Sequence, residues 1–269
     1  MKINISEIVA LDIETTGLNP EVDRIIEIAL LKYKNFEIVE KFVQLINPEI
    51  EEFYSISGIK SKDVKYAPKF KDVVENVYNF MEGKIILSHN AKFDISFLKE
   101  EFKRTNFPFP KIKIIDTLLI AKRFFNFESN SLDNISKNFN IERFVKHRAE
   151  DDARVTLEIF KLFCEIIEDE YQIDLIQKMI FDTDQIINKI YYDLEIYDKI
   201  LEAIEKREKV IIIYVSNKQS ENEMKKEIIK REILPLGVIE ENGVKYVKAF
   251  CYLRNEERTF RFDRIIKII

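Results

Sequence analysis

The sequence predicts an α/β chain in two parts: a mixed sheet flanked by helices, then a helical connector leading to a small β-barrel. Three observations carry this. Apolar, strand-like runs open the chain three times in succession. Beyond Pro68, stretches of helical periodicity alternate with short apolar runs that read as interior strands. From Lys209 onward the pattern returns to short strands separated by turn residues. The corresponding segments are 1–167, 168–195 and 196–269.

The first strand lies within Val9–Leu18. Side chains alternate across a strand, so Val9, Leu11 and Ile13 face one way while Ala10, Asp12 and Glu14 face the other. Two acids on an otherwise apolar strand repel unless a cation lies between them, and a hard, oxygen-seeking ion such as Mg²⁺ suits them. Taken alone, these residues are explained more simply as a strand running out into an acidic turn, with Glu14 and Thr15 solvated and Gly17 making the bend, and the rest of the chain has to decide. Arg24–Tyr33 and Phe36–Ile46 read as two further strands of a meander joined by the turn Lys34-Asn35, and Pro48 to Lys62 reads as irregular. A helix follows from Pro68, with Phe70, Val73, Val74, Val77 and Phe80 at helical spacing up to the stop at Gly83.

Lys84–Ser88 is an interior strand that ends in His89-Asn90-Ala91-Lys92-Phe93-Asp94 and continues as a helix through Ile95, Leu98, Glu101 and Phe102. Ile112–Ile115 is a strand, followed by helices at Thr117–Phe125 and Ser131–Asn138. A long helix, Ala149–Glu168, follows His147; Asp152 shares its inward stripe with Thr156, Ile159 and Phe163, whereas Asp151 points about 100° away. Glu168–Lys209 is rich in helix formers, and Val210–Val215, Glu232–Ile239, Val244–Tyr252 and Glu257–Phe262 read as the strands of the barrel.

Composition sets the outer limits. A chain of 269 residues, 34% charged and 46% hydrophobic with five Gly and six Pro, is a well-ordered globular protein. Its apolar runs are too short to span a bilayer, which predicts a cytoplasmic protein with no membrane partner. Cys164 and Cys251 match no metal-ligand spacing and read as reduced thiols. The net charge of −5 is uneven: from Ile196 onward there are 16 Lys and Arg against 13 Asp and Glu, and before it 27 against 35. An acidic front is a poor general binder of nucleic acid. Acids gathered on a metal are neutralised by it, however, so the charge does not exclude a phosphodiester substrate.

Taken together, Asp12-Ile13-Glu14-Thr15-Thr16-Gly17-Leu18, His89 to Asp94 and His147-Arg148-Ala149-Glu150-Asp151-Asp152-Ala153 resemble, in order, the three motifs of the DEDDh (DnaQ-like) 3′–5′ exonucleases, the branch that includes the proofreading subunit of bacterial replicative polymerases. Ser57-Gly58-Ile59-Lys60 is similar to a connecting signature of that family in which a His usually stands at the Ser57 position. The resemblance covers about Ile5 to Cys164. It implies a ribonuclease-H-like fold, two divalent ions, Mg²⁺ or Mn²⁺, and removal of nucleotides from a free 3′ end, on DNA ahead of RNA, alongside a polymerase or repair partner.

The residue chemistry agrees with this. Asp12, Glu14, Asp94 and Asp152 would hold two ions roughly 3.5–4 Å apart, and His147, whose unperturbed pKa lies near 6.5, suits proton transfer from the attacking water. Thr15, Thr16 and Gly17 would bring backbone N–H groups and hydroxyls to the terminal nucleotide, Leu18 would wedge against its base, and Asn90 would contact a phosphate or close its own turn. His89 reads equally as packed or functional.

In the last third, Ile233-Leu234-Pro235-Leu236-Gly237, Asn242 to Ala249 and Arg258-Thr259-Phe260-Arg261-Phe262-Asp263-Arg264-Ile265 resemble a WYL domain, with Lys245 where that family's Trp is expected. This resemblance implies a nucleic-acid or nucleotide ligand and a regulatory role, with Arg258 and Arg261 as contacts. Two further readings stay open: a 3′–5′ exoribonuclease using the same site, and a non-catalytic nucleic-acid sensor on a nuclease scaffold.

Overall fold

The computed structural model describes residues 7–34, 37–167, 176–177, 179–188, 194–220, 223–241 and 244–269, with 194–195, 217–220 and 223–226 described by backbone alone. The turn residues Asn35, Asn242 and Gly243, and Ile173 and Ile190 of the connector, lie outside them. The chain divides into two compact units: Met1–Leu119 with Phe127–Glu168 and Ile180–Asn188, and Ile120–Asn126 with Asp169–Met179 and Lys189–Ile269.

The first unit is a six-stranded mixed sheet flanked by helices, ordered β3-β2-β1-β4-β5-β6. Strands β1 (Glu7–Thr15), β2 (Ile25–Lys34) and β3 (Glu37–Leu45) form the antiparallel meander, and β4 (Ile85–Ser88) runs parallel to β1 on its other side. β1 is therefore interior, and Val9, Ala10 and Leu11 are wholly buried. β2, whose apolar run is broken by a single acid before Lys32, is buried almost throughout, whereas β3, at the sheet edge, is largely exposed. Around this sheet lie α1 (Ser61–Val64), α2 (Phe70–Met81), α3 (Ala91–Arg104), α5 (Leu132–Asn138) and α6 (Ala149–Ile166), while α4 (Thr117–Phe124) begins in this unit and belongs from Ile120 to the second. β5 (Lys113–Asp116) runs parallel to β4. α6 packs on β1, β2 and β4, and α5 packs on α6.

Two elements differ from the sequence reading. The single-turn α1 occupies part of the stretch read as irregular; four residues are too few to show a helical period. Within the stretch read as helical, Phe181–Asp182 forms β6, which pairs antiparallel with β5 at the sheet edge. Phe181 is an aromatic strand former that is buried there, and Asp182 pairs with Lys113 (2.6 Å) before the short helix Thr183–Ile187 begins.

The second unit is a five-stranded antiparallel sheet ordered β10-β9-β8-β7-β11: β7 (Val210–Ser220), β8 (Glu223–Glu241), β9 (Val244–Cys251), β10 (Glu256–Arg261) and β11 (Ile265–Ile268). The β7–β8 ladder, which extends to Ser220 and Glu223, is far longer than the apolar runs alone indicate, because the sequence of its outer part is polar and offers no apolar alternation to read. The strand read as Glu257–Phe262 stops at Arg261. Phe262 opens a 3-10 turn, Phe262–Arg264, that redirects the chain into β11, yet its ring stays in one core with Phe260, Ile212, Ile233 and Val247. Ile196 and Ile200 of the helix Leu194–Lys206 complete that core. No helix among the described residues is long and apolar enough to cross a membrane.

Candidate active site

The backbone of β1 places Asp12 opposite Ala29 and Glu14 opposite Glu27 of β2. Asp94 arrives from the first turns of α3, where Ser88 Oγ at the end of β4 donates to its Oδ2 at 2.7 Å. Asp152 arrives from the first turns of α6, and it and Asp94 are buried. The four acids act on one another. Desolvation, then the charges of Asp94, Asp152 and Glu14, hold the Asp12 carboxyl well above the usual carboxylate range. Desolvation, then Asp152, Glu27 and Asp94, push Glu14 up to about 8 against relief from Arg148. Asp94 is pushed up to about 7 chiefly by burial, and Asp152 is raised by burial against the lowering effect of Arg143. His147, exposed at a positive φ of 56°, joins them: Glu14, His147 and Asp152 each offer a ligand atom within 4.8 Å of the others.

A consequence for stability follows. Glu14 and Asp94 bind a proton more tightly folded than unfolded, so their favourable contribution is complete below the ordinary carboxylate range and is lost as pH rises through about 7 for Asp94 and about 8 for Glu14. The melting temperature of metal-free protein should therefore fall from about pH 5 to about pH 8, and millimolar Mg²⁺ should flatten the fall. Thermal scans in chelator and in Mg²⁺ check this; a metal-free curve that rises over that window contradicts the assignment.

Further residues, not singled out in the sequence, hold this cluster in place. Asp116, at the end of β5, accepts from the backbone N–H of Asn90 (3.0 Å), Ala91 (3.0 Å) and Leu118 (2.9 Å), and burial pushes it up to about 6. Its carboxylate caps α3, so Asp94 is not the N-cap. The N-cap residue is Asn90, in the left-handed conformation that Asn tolerates, exposed and with no side-chain cap hydrogen bond. His89 is packed, with Nδ1 2.8 Å from Thr117 Oγ1 and Nε2 2.9 Å from the Asn130 carbonyl. Arg143, its side chain buried, ion-pairs with both Asp133 and Asp152.

Asp151 is not turned to solvent as its spacing suggests. It is buried, accepting from Arg154 Nη2 (2.7 Å) and from the Val145 N–H (3.3 Å), and so pins the loop before His147. Glu27, buried in β2, accepts from Arg148 and the Ala149 N–H. An acid inside an apolar run, as at Glu27, and one at a strand-to-helix junction, as at Asp116, are the signals that could have marked these two.

The turn after β1 is built largely by the residues expected to touch substrate. Thr15 Oγ1 donates to the Gly17 carbonyl (2.6 Å), and Thr16 Oγ1 accepts from the Arg24 N–H (3.0 Å) and lies 3.3 Å from Asp23 Oδ1. Both threonines are buried and their hydroxyls are engaged within the turn. A Cβ at Gly17 would meet the Asp23 carboxylate, which accepts from the Asn19 N–H (2.8 Å) and would have to shift to make room. Leu18 is 73% exposed and free to meet a ligand. The turn is tied to α3 by Arg24, bidentate to buried Glu101 (2.6 and 3.0 Å), and by Arg104 to the carbonyls of Pro20 and Glu21.

In the second unit, Arg261 is bidentate to Asp263 (3.0 and 2.7 Å) and Arg258 pairs with Glu256 (3.1 Å), so both proposed ligand-binding arginines already carry an intramolecular partner.

Comparison with known proteins places this architecture. Residues 195–268 match the WYL domain model. The PolC-type DNA polymerase III of Thermotoga petrophila is 37% identical over 163 residues, 60% of this chain and 12% of that protein. The 3′-5′ exonuclease DinG of Bacillus subtilis is 34% identical over 171 residues, 62% of this chain and 18% of that protein. The DNA polymerase III subunit epsilon of Treponema pallidum is 34% identical over 157 residues, 56% of this chain and 73% of that subunit. The chain thus spans about an eighth of the length of the polymerase it matches. Among solved structures, the zinc-bound E. coli ExoI-ssDNA complex superposes with a TM-score of 0.61 at 16% identity, over 91% of this chain and 54% of that one, which shows a shared fold. Residues 9–160, over half of the chain, match the exonuclease family model, and the chain belongs to that family.

Proposed function

We propose that this chain is a metal-dependent 3′–5′ exonuclease acting on DNA, with residues 1–167 as the nuclease domain, 168–195 as connector and 196–269 as a WYL-like domain that binds nucleic acid or a nucleotide ligand. The observation that carries the reading is the convergence of Asp12, Glu14, Asp94 and Asp152 on one site beside His147. The residues fit a metal. They offer oxygen and imidazole donors, and the proton affinities of Asp12, Glu14 and Asp94 are raised first by burial and then by neighbouring acids, so a bound cation would favour their ionised forms. Asp12, Glu14, Asp94 and Asp152 would hold Mg²⁺ or Mn²⁺, which when bound polarise the scissile phosphate and stabilise the leaving oxygen.

The chain's own groups supply the rest. His147 takes a proton from the attacking water as its oxygen bonds to phosphorus. The bond from phosphorus to the 3′-oxygen of the penultimate nucleotide breaks and that oxygen takes a proton from solvent water, releasing a nucleoside 5′-monophosphate and leaving a new 3′-hydroxyl on the shortened strand, while His147 returns its proton to solvent. Leu18 and the backbone at Thr15 and Gly17 seat the terminal nucleotide, with Asn90 at its phosphate; the Thr16 N–H is not available for this, since it donates to the Arg24 carbonyl (2.9 Å). Relatives named as a polymerase and its epsilon subunit favour DNA and a replication or repair partner.

A digestion panel of end-labelled single- and double-stranded DNA and RNA, with Mg²⁺, Mn²⁺ or chelator, tests this. Stepwise shortening from the 3′ end is expected with metal only, with a 3′-blocked strand resistant and circular DNA uncut. Faster RNA loss points to the exoribonuclease reading, and no turnover on any strand points to the sensor.

For the second domain, Arg258→Ala with Arg261→Ala should leave turnover on a short oligonucleotide unchanged. The salt slope of affinity for a longer strand should fall by about one for each phosphate that an arginine no longer neutralises, hence by no more than about two. Titrations across salt concentrations measure the slope. An unchanged slope assigns those arginines to structure, in keeping with their pairing to Glu256 and Asp263.

A further inference from the structure

Glu27 belongs to none of the three motifs. It is the third residue of β2, 1% exposed, directly across the ladder from Glu14. A carboxylate buried beside another carboxylate is unfavourable unless it is fully partnered. Here it accepts from Arg148 Nε (3.1 and 3.0 Å), from Arg148 Nη2 (2.6 Å) and from the backbone N–H of Ala149 (2.9 Å). Ala149 is the first residue of α6, so that N–H belongs to the free end of the helix, where a negative charge is favoured. The N-cap residue Arg148 has no cap hydrogen bond from its own side chain; Glu27 supplies from the neighbouring strand what a Ser or Asp would supply locally.

We infer that Glu27 is a positioning residue: it clamps the start of α6 to β2 and thereby sets His147 and Asp152 against Glu14. The linkage is short. Glu14 and Glu27 are fixed by one strand pair, while His147 precedes Arg148 by one residue and Asp152 follows Ala149 by three. His147 has a left-handed backbone, so its placement depends on the segment on either side being held. Asp151 holds the preceding side through Val145, and Glu27 holds the following side. This role rests on the exonuclease reading for its catalytic consequence and not for its structural one.

The test compares Glu27→Ala and the near-isosteric Glu27→Gln with wild type, by Mn²⁺ binding to full-length protein without substrate, by kcat and KM on a short oligonucleotide, and by thermal scans that confirm folding. Both variants remove the same charge, but Gln can still accept from the Ala149 N–H. Positioning therefore demands graded losses: Glu27→Ala should weaken Mn²⁺ binding and lower kcat by about 10–100-fold each, the range seen when groups supporting metal ligands are removed, with KM changed less than about threefold. Glu27→Gln should recover most of both. Equal losses in the two variants would mean that only charge matters and would overturn the clamp, as would wild-type Mn²⁺ affinity in folded Glu27→Ala. If Glu27→Ala does not fold, Glu27→Gln is read against Arg148→Gln: equal small losses keep the clamp, and no loss in either overturns it. A wild-type protein that binds Mn²⁺ but degrades nothing would fail the exonuclease reading while leaving the binding comparison able to judge Glu27.

Discussion

Asp12→Asn should reduce turnover by about 10³–10⁵ while leaving the metal-free protein as stable as wild type or more so. The two effects have opposite sign because Asp12 serves function at the expense of the fold. Burial first, and then the charges of Asp94, Asp152, Glu14 and Glu27, raise the proton affinity of its carboxyl. In the absence of metal an ionised Asp12 is therefore unfavourable in the fold, and an amide of nearly the same volume is neutral there without opening a cavity. With metal the balance reverses, since an amide oxygen is a weaker ligand than a carboxylate for a hard cation. A loss of several kcal/mol of charge stabilisation in the transition state corresponds to the rate factor given. Single-turnover rates at saturating Mn²⁺ and thermal scans in chelator measure the two effects. Full activity in the variant would remove Asp12 from the metal set, and a large drop in metal-free melting temperature would mean that it is structural.

The same asymmetry explains what can be read from the sequence. Asp12 and Glu14 stand out because acids are rare on a strand that otherwise reads as apolar, and Asp152 because it shares a stripe with Ile159 and Phe163. The strands beside β1 are legible too: β2 and β4 are largely buried and read as apolar runs. What the sequence does not disclose is which polar groups are occupied. Thr15 and Thr16 look like ligands for a terminal nucleotide, but their hydroxyls are engaged within the turn. Asp151 looks solvated, but Arg154 and the Val145 N–H claim it. Strand alternation turns Arg261 away from Phe260 and Phe262, toward solvent or a ligand, but Asp263, two residues on, takes its guanidinium because the strand ends in a 3-10 turn. Each of these pairings depends on a backbone direction that hydrophobic periodicity does not encode. β6 is hidden for a simpler reason, since two residues cannot display a period of two.

His147→Asn should lower kcat by about 10²–10⁴, the range for loss of a general acid or base, with Mn²⁺ binding changed far less. The choice of Asn matters. His147 has a φ of 56°, in the left-handed region where most side chains are disfavoured and Asn is among the best tolerated, so this variant removes the imidazole without disturbing the backbone. His147→Ala removes the same group and adds backbone strain, so a melting temperature lower than that of the Asn variant at equal kcat would separate conformation from chemistry. The imidazole is exposed, and one of its ring nitrogens lies within 4.8 Å of carboxylate oxygens of Glu14 and Asp152, which puts it at the mouth of the acid cluster, where an entering water would be met. If it accepts the proton of that water, the acidic limb of the kcat profile reports its protonation and should flatten in both variants. If it is instead a metal ligand, Mn²⁺ affinity should fall in step with kcat and the limb should persist, carried by the acids. A rate and profile identical to wild type in the Asn variant would remove His147 from the chemistry altogether and leave the four carboxylates to act without a side-chain base.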